Sequence, residues 1–213
     1  MTRTVLCYGD SNTWGAATVP RPDDRYAIDE RWPGVLRVEL GAGWLVLEEG
    51  LNGRTTVSDD PVEGPEKNGR RYLAPCLQTH RPLDLVIIKL GTNDLKARFS
   101  KSAWEVAAGV GALVDLTLAA GAGRDGGAPG VLVVAPAPTQ ATLPFHTEMF
   151  AGAYEKSMEF ANRYRAMTEE RGVDFFDAGS VIESSRYDGF HLDPDAHVAL
   201  GQALAAEAKR IVG

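Results

Sequence analysis

The chain has 213 residues, 44% of them hydrophobic, which suffices for one sizeable core and favours a single domain over residues 1–213. Its 22 Lys and Arg against 29 Asp and Glu leave a formal charge of −7. Without basic blocks, such a chain is poorly suited to nucleic acid. No apolar run approaches the ~20 residues that span a bilayer, and the N-terminal segment lacks the apolar stretch and cleavage site of a signal peptide. A cytoplasmic protein with no membrane partner is therefore expected.

Short apolar segments alternate with stretches of helical character. Strands are expected at residues 4–8, 44–47, 83–90, 131–135 and 173–176. The third and fourth are apolar almost throughout rather than alternating, as in a parallel sheet covered on both faces. Helices are expected over 31–40, up to His80, over 102–119, over 150–171 and over 195–212. Ser102 suits an N-cap, and Gly121 and Gly172 follow helix ends. Asp193 is a candidate cap ahead of Pro194 in the first turn. Strand alternating with helix predicts a three-layer α/β/α domain. Three loops interrupt the rhythm: a long polar one over 50–71, a Gly-rich turn over 121–130, and residues 136–147, with three prolines and Phe145.

In open parallel sheets, ligands bind at the carboxyl ends of the strands, so the segments there carry most information. They are Gly9-Asp10-Ser11-Asn12-Thr13-Trp14-Gly15, Glu49-Gly50-Leu51-Asn52-Gly53-Arg54-Thr55 and Gly91-Thr92-Asn93-Asp94, joined near the C-terminus by Asp188-Gly189-Phe190-His191. Taken singly, each is ordinary turn and cap material. Together they meet a stricter need. A serine hydroxyl requires a base within reach, a partner that orients the base, and donors aimed at the developing oxyanion. Ser11, His191 and Asp188 can fill the first three roles. The Ser11 N–H, the Gly53 N–H and the Asn93 side-chain amide can supply the donors. The Gly-x-Ser-x-Gly elbow of α/β-hydrolases is absent around Ser11.

These four segments, in this order, resemble the blocks of the GDSL, or SGNH, hydrolases, and Ser11, Gly53, Asn93 and His191 match the four residues of the second name. The resemblance runs from Thr4 to the last helix. It is closest to the bacterial arylesterase and acyltransferase branch, to which Trp14-Gly15, Glu49-Gly50-Leu51, Arg54-Thr55-Thr56 and Phe176-Asp177-Ala178-Gly179 are also similar. It implies a flavodoxin-like, five-stranded parallel sheet of order 2-1-3-4-5. It further implies hydrolysis of small ester substrates through an acyl-enzyme, acyl transfer to alcohols, no metal or organic cofactor, and a homo-oligomer. One position departs from the pattern: the residue after the nucleophile is usually apolar and here is Asn12, which either bonds within its turn or lines the site. Two alternatives stay open. One is a carbohydrate deacetylase of acetyl-xylan type. The other is a flavodoxin-like module for a phosphate or nucleotide, using backbone donors at residues 91–94, although no Gly-x-Gly-x-x-Gly or Gly-x₄-Gly-Lys pattern appears.

Beyond the triad, Asn12, Trp14, Arg54, Phe145 and Phe150 are candidate substrate-binding residues, with Arg54 equally suited to pinning the long loop. His146, beside Phe145, is a weaker candidate. His80 and His197 read as structural, Asp10 as bracing the nucleophile turn, Asp94 as bracing the Asn93 loop, and Asp59 and Asp60 as solvated. Cys7 and Cys76 are isolated and show no metal-ligand spacing; Cys7 reads as a small core residue.

Overall fold

The computed structural model describes residues 2–21 and 23–213. In chain order the main elements are β1 (Arg3–Gly9), α1 (Ser11–Trp14), α2 (Trp32–Leu40), β2 (Trp44–Gly50), α3 (Gly69–His80) and β3 (Leu85–Lys89). There follow α4 (Ala103–Ala119), β4 (Gly130–Ala135), α5 (Ala153–Met158), α6 (Phe160–Arg171), β5 (Asp174–Asp177) and α7 (Pro194–Val212). The five strands form one parallel sheet in the order β2-β1-β3-β4-β5, as the resemblance implied.

The pleat sorts each strand's residues between two apolar layers. Leu6 and Tyr8 of β1 face α3, α4 and α6. Val5 and Cys7 face α2 and α7. All four are fully buried, so a continuous apolar strand reflects burial on both faces rather than a break in periodicity. At the carboxyl edge Gly9 pairs with both Gly50 and Lys89. The first three strands therefore end level, and the segments that follow them emerge side by side.

Most expected boundaries hold to within a few residues, and the differences have local causes. Ser102 caps α4 through a capping box: its Oγ accepts from the Glu105 N–H at 3.2 Å, while the Glu105 carboxylate accepts from the Ser102 N–H at 2.7 Å. Asp193 occupies the N-cap position of α7, but its carboxylate accepts from Thr18 and Ser185 instead of capping the helix. The helix expected over 150–171 is two helices broken at Glu159. Just before the break, Ser157 Oγ donates to the Tyr154 carbonyl at 2.8 Å and accepts from the Thr139 N–H at 3.0 Å. A hydroxyl bonded to a carbonyl three residues back competes with the helical ladder. The loop expected over 50–71 ends three residues early, where Asn68 caps α3 by accepting from the Arg70 N–H. Among the described residues, no helix is long and apolar enough to cross a membrane.

Candidate active site

Ser11 stands at the first position of α1, just past the end of β1. The Asp10 carboxylate accepts from the Asn12 N–H at 3.0 Å and so caps this short helix. The turn is tight enough that a Cβ on Gly9 would lie 1.9 Å from Thr13 Oγ1, which restricts the position to glycine. As the first residue of the helix, Ser11 has no intrahelical carbonyl for its N–H, leaving that donor for another acceptor.

The Asp188–His191 turn approaches from the other end of the chain. Asp188 Oδ1 accepts from the N–H groups of Phe190 at 3.0 Å and His191 at 2.9 Å. Its Oδ2 stands 2.8 Å from His191 Nδ1, and His191 Nε2 stands 2.9 Å from Ser11 Oγ. Gly189, with φ +96, supplies the left-handed residue that lets Asp188 fold back over its own successors. A carboxylate at Nδ1 selects the tautomer with its proton there, so Nε2 accepts from the serine hydroxyl. Burial pushes the Asp188 carboxyl up. The His191 ring bond, its charge and the two backbone N–H donors more than reverse this, and the group ends below the ordinary carboxylate range.

Ser11, Gly53, Asn93 and His191 all line one cavity of about 280 Å³. Asn93 Nδ2 donates to the Arg54 carbonyl at 3.2 Å, which orients its amide. The loop that carries it is braced as expected: Asp94 accepts from the Thr56 N–H at 2.8 Å, the Thr56 hydroxyl at 2.7 Å and Lys101 Nζ at 2.8 Å. One part of the cavity wall is apolar, formed by Ala16, Met149, Phe150 and Phe190. Phe150 and Phe190 stack with centroids 4.8 Å apart. The rest is polar, formed by Asn52, Glu63, Lys96 and His146 beside the donors.

Of the five expected substrate-binding residues, Phe150 lines this cavity; the other four are placed elsewhere. Asn12 is buried, and its side chain neither bonds within its own turn nor lines the cavity; its Nδ2 donates to the Phe190 carbonyl at 3.1 Å. Trp14 accepts from Arg25 Nε at its carbonyl and lies under that guanidinium, 4.6 Å from the ring centroid. Arg54 pins the loop: Nη1 donates to the carbonyls of Gly9 and Glu49, and its guanidinium lies 4.2 Å over the Tyr8 ring. Phe145 is half exposed and rests against Tyr187. His146, the weaker candidate, does line the cavity.

Asp60 corrects the expectation of a solvated side chain. It is buried, accepts from the N–H groups of Val62 and Glu63, and pairs with Arg98 at 2.7 Å. Asp59 stays partly exposed and binds Asn68 and Arg71. His197 is fully buried, with Nδ1 accepting from the Trp32 N–H. His80 ends α3 and binds Glu49 at 2.7 Å. Cys7 is a core residue. Cavity residues that the motifs did not single out include Phe190, which lies inside the Asp-Gly-Phe-His run, and Asn52, the neighbour of Gly53. Glu63, Lys96 and Met149 carry no local signal.

A parallel α/β/α sandwich bearing a hydrogen-bonded Ser–His–Asp chain just beyond β1 is the architecture of an SGNH-type hydrolase. The chain belongs to the GDSL-like lipase/acylhydrolase family, whose model matches residues 7–199. It is similar to the aryl esterase of M. smegmatis, with 44% identity, 99% of this chain and 100% of that one covered, and a TM-score of 0.93. It is also similar to a carbohydrate acetylesterase from Sinorhizobium meliloti, with 43% identity, 98% and 99% covered, and a TM-score of 0.91. A carbohydrate acetylesterase family member from the same organism shares 38% identity over the full length of both chains, with a TM-score of 0.92. No curated protein matches. The protein is thus a hydrolase of the GDSL esterase family, and membership of that family leaves the nucleotide-module alternative without support.

Proposed function

We propose that this hydrolase cleaves short-chain acyl or aryl esters through an acyl-enzyme on Ser11. The observation that carries the reading is the unbroken chain from Ser11 Oγ through His191 to Asp188, at 2.9 and 2.8 Å. His191 Nε2 takes the serine proton as Oγ attacks the ester carbonyl, and Asp188 stabilises the imidazolium that forms. The oxyanion is met by the Ser11 and Gly53 N–H groups and the Asn93 amide, all on the same cavity wall. His191 then protonates the departing alcohol. A water activated by the same nitrogen releases the acid.

A cavity of about 280 Å³ favours short acyl chains. The experiment is a chain-length series of p-nitrophenyl esters with the parent and Ser11→Ala. Acetate to butyrate should be hydrolysed fastest and octanoate poorly, and Ser11→Ala should lose nearly all turnover. Equal rates in parent and variant would overturn the mechanism. The apolar wall of Met149, Phe150 and Phe190 favours alcohols over water at the acyl-enzyme, so ester product from vinyl acetate and benzyl alcohol in water is expected as well.

A second reading, deacetylation of a sugar ester, is favoured by the polar part of the same wall, where Asn52, Glu63, Lys96 and His146 offer both donors and acceptors to hydroxyl groups. Similarity to the carbohydrate acetylesterases supports it. Parallel assays on aryl acetates and acetylated xylose separate the two.

A further inference from the structure

A second group of reactive side chains lies outside the catalytic cavity. Cys76 and His80 are four residues apart in α3 and so project from one face, one turn above the other. That face meets the carboxyl end of β2. There Glu49, paired in register with Tyr8, extends its carboxylate to His80 Nε2 at 2.7 Å. A carboxylate oxygen of Glu49, Cys76 Sγ and a His80 ring nitrogen all lie within 4.8 Å of one another. Cys76 is buried, whereas the His80 and Glu49 side chains are 25% and 21% exposed, so a small ion can enter from their side. Glu49 also opens on a cavity of about 530 Å³, lined by Gly50, Leu51, Arg54, Glu66, Arg71 and Tyr72, none of which lines the catalytic cavity. Arg54 lines this cavity, and among the described residues its buried Nε has no hydrogen-bond partner.

We propose that Glu49, Cys76 and His80 form a zinc site, with the fourth ligand position open to this second cavity. The donor set decides the metal. Thiolate and imidazole select zinc over calcium or magnesium, which take oxygen ligands. In a tetrahedral site, Zn–S of about 2.3 Å and Zn–N and Zn–O of about 2.0 Å put the ligand atoms roughly 3–4 Å apart. The three ligand atoms lie within 4.8 Å of one another, so they need to close by about 1 Å to reach that geometry. Binding expels the Cys76 thiol proton to solvent; the proton that His80 Nε2 shares with Glu49 in the metal-free site is lost from Nε2 as the neutral ring takes one from solvent on Nδ1, which frees Nε2 to ligate. One carboxylate and one thiolate cancel the charge of the dication, so the loaded site is neutral beside the Arg54 guanidinium.

The site also touches the catalytic framework through the backbone. Arg54 donates to the carbonyls of both Glu49 and Gly9, and its own carbonyl accepts from Asn93 Nδ2. Zinc therefore ties α3 to the strand end from which the Gly53 segment departs.

The test is a cobalt titration of chelator-treated full-length protein. One equivalent of Co²⁺ should produce a thiolate-to-cobalt charge-transfer band and the visible bands of a tetrahedral ion, and Zn²⁺ should bleach both. Cys76→Ser should abolish the charge-transfer band. Calorimetric zinc affinity should fall at least ~10-fold in Cys76→Ser and in His80→Gln, while Cys7→Ser keeps the parent's behaviour. His80→Gln, at a partly exposed position, keeps the test decisive if the buried serine variant does not fold. Absence of the charge-transfer band from the parent, its survival in Cys76→Ser, or unchanged zinc affinity in His80→Gln would overturn the proposal. None of these readouts depends on esterase activity.

Discussion

Asn12 Nδ2 donates to the Phe190 carbonyl at 3.1 Å, so the residue after Ser11 holds the residue before His191. The two halves of the proposed nucleophile–base pair come from opposite ends of the chain, and this partly buried bond joins them one residue away from the reacting atoms on each side. Asn12→Ala removes one hydrogen bond, worth about 1 kcal/mol net. Applied to the Ser11–His191 alignment, that predicts a kcat on p-nitrophenyl acetate lower by roughly fivefold. KM should hardly move, because Asn12 does not line the cavity. A variant with raised KM and unchanged kcat would mean that the side chain meets the substrate.

Asp188 holds His191 from the other side, and its depressed pKa keeps it ionised below the ordinary carboxylate range. Asp188→Asn keeps the shape but replaces an acceptor with an amide that can present its N–H to the ring, favouring the tautomer with the proton on Nε2. A drop in kcat of about 10⁴-fold is expected, with little change in thermal stability. Loss of activity that tracks loss of folded protein would point to a structural role instead.

Much of this arrangement is legible in the sequence because it is local. Gly-Asp-Ser-Asn, Gly-Thr-Asn-Asp and Asp-Gly-Phe-His are short runs whose turn chemistry and side-chain chemistry coincide. The parallel sheet then aligns the strand ends that carry the first two. Phe190 and Asn52 lie inside such runs and could have been included on adjacency alone. Glu63, Lys96 and Met149 could not: they reach the cavity through long loops whose paths depend on tertiary contacts. Asp60 has the same difficulty. A polar loop reads as solvated until Arg98, from a segment 38 residues away, closes over it. The break at Glu159 depends on Thr139 binding Ser157, a contact invisible to helical periodicity. In sequence, an arginine beside a catalytic loop suits substrate binding and loop pinning alike; the carbonyl partners of Arg54 decide for pinning.

The Asp60 cluster predicts a stability defect near the cavity. Burial pushes the Asp60 carboxyl up, but the Glu63 and Val62 N–H groups and Arg98 outweigh it, and the group ends below its ordinary range. Lys96 and Arg98 both pair with Asp60 and Glu63. Asp60→Asn leaves the buried Lys96 with half its neutralising charge. Breaking a buried pair costs about 3–5 kcal/mol, and the partial exposure of Arg98 and Glu63 places the loss nearer the lower end. Urea unfolding at neutral pH should show it. Because the folded-state pKa lies below the unfolded one, the contribution is present above the carboxylate range and is lost as pH falls through it. Parent and variant should therefore converge in stability in acid.

His197 gives the opposite construction, a base kept neutral by the fold. Burial lowers its pKa most, the charges of Lys89, His191 and Arg31 add to this, and Glu30 opposes it weakly; the result is about 3 against an ordinary 6.5. Between those two values the unfolded chain binds a proton that the folded one refuses. The parent therefore loses stability as pH falls from 6.5 towards 3, by roughly 1 kcal/mol per pH unit from this residue alone. His197→Asn keeps an acceptor for the Trp32 N–H, which His197 Nδ1 now binds at 3.1 Å, and has no proton to take up. The variant should be less stable than the parent at pH 7, where its smaller side chain leaves the Tyr26 ring underpacked. Its unfolding free energy should nevertheless fall less steeply between pH 6.5 and 4.5. Parallel slopes for the two proteins in denaturant titrations over that range would show that His197 is not the group whose protonation opposes folding.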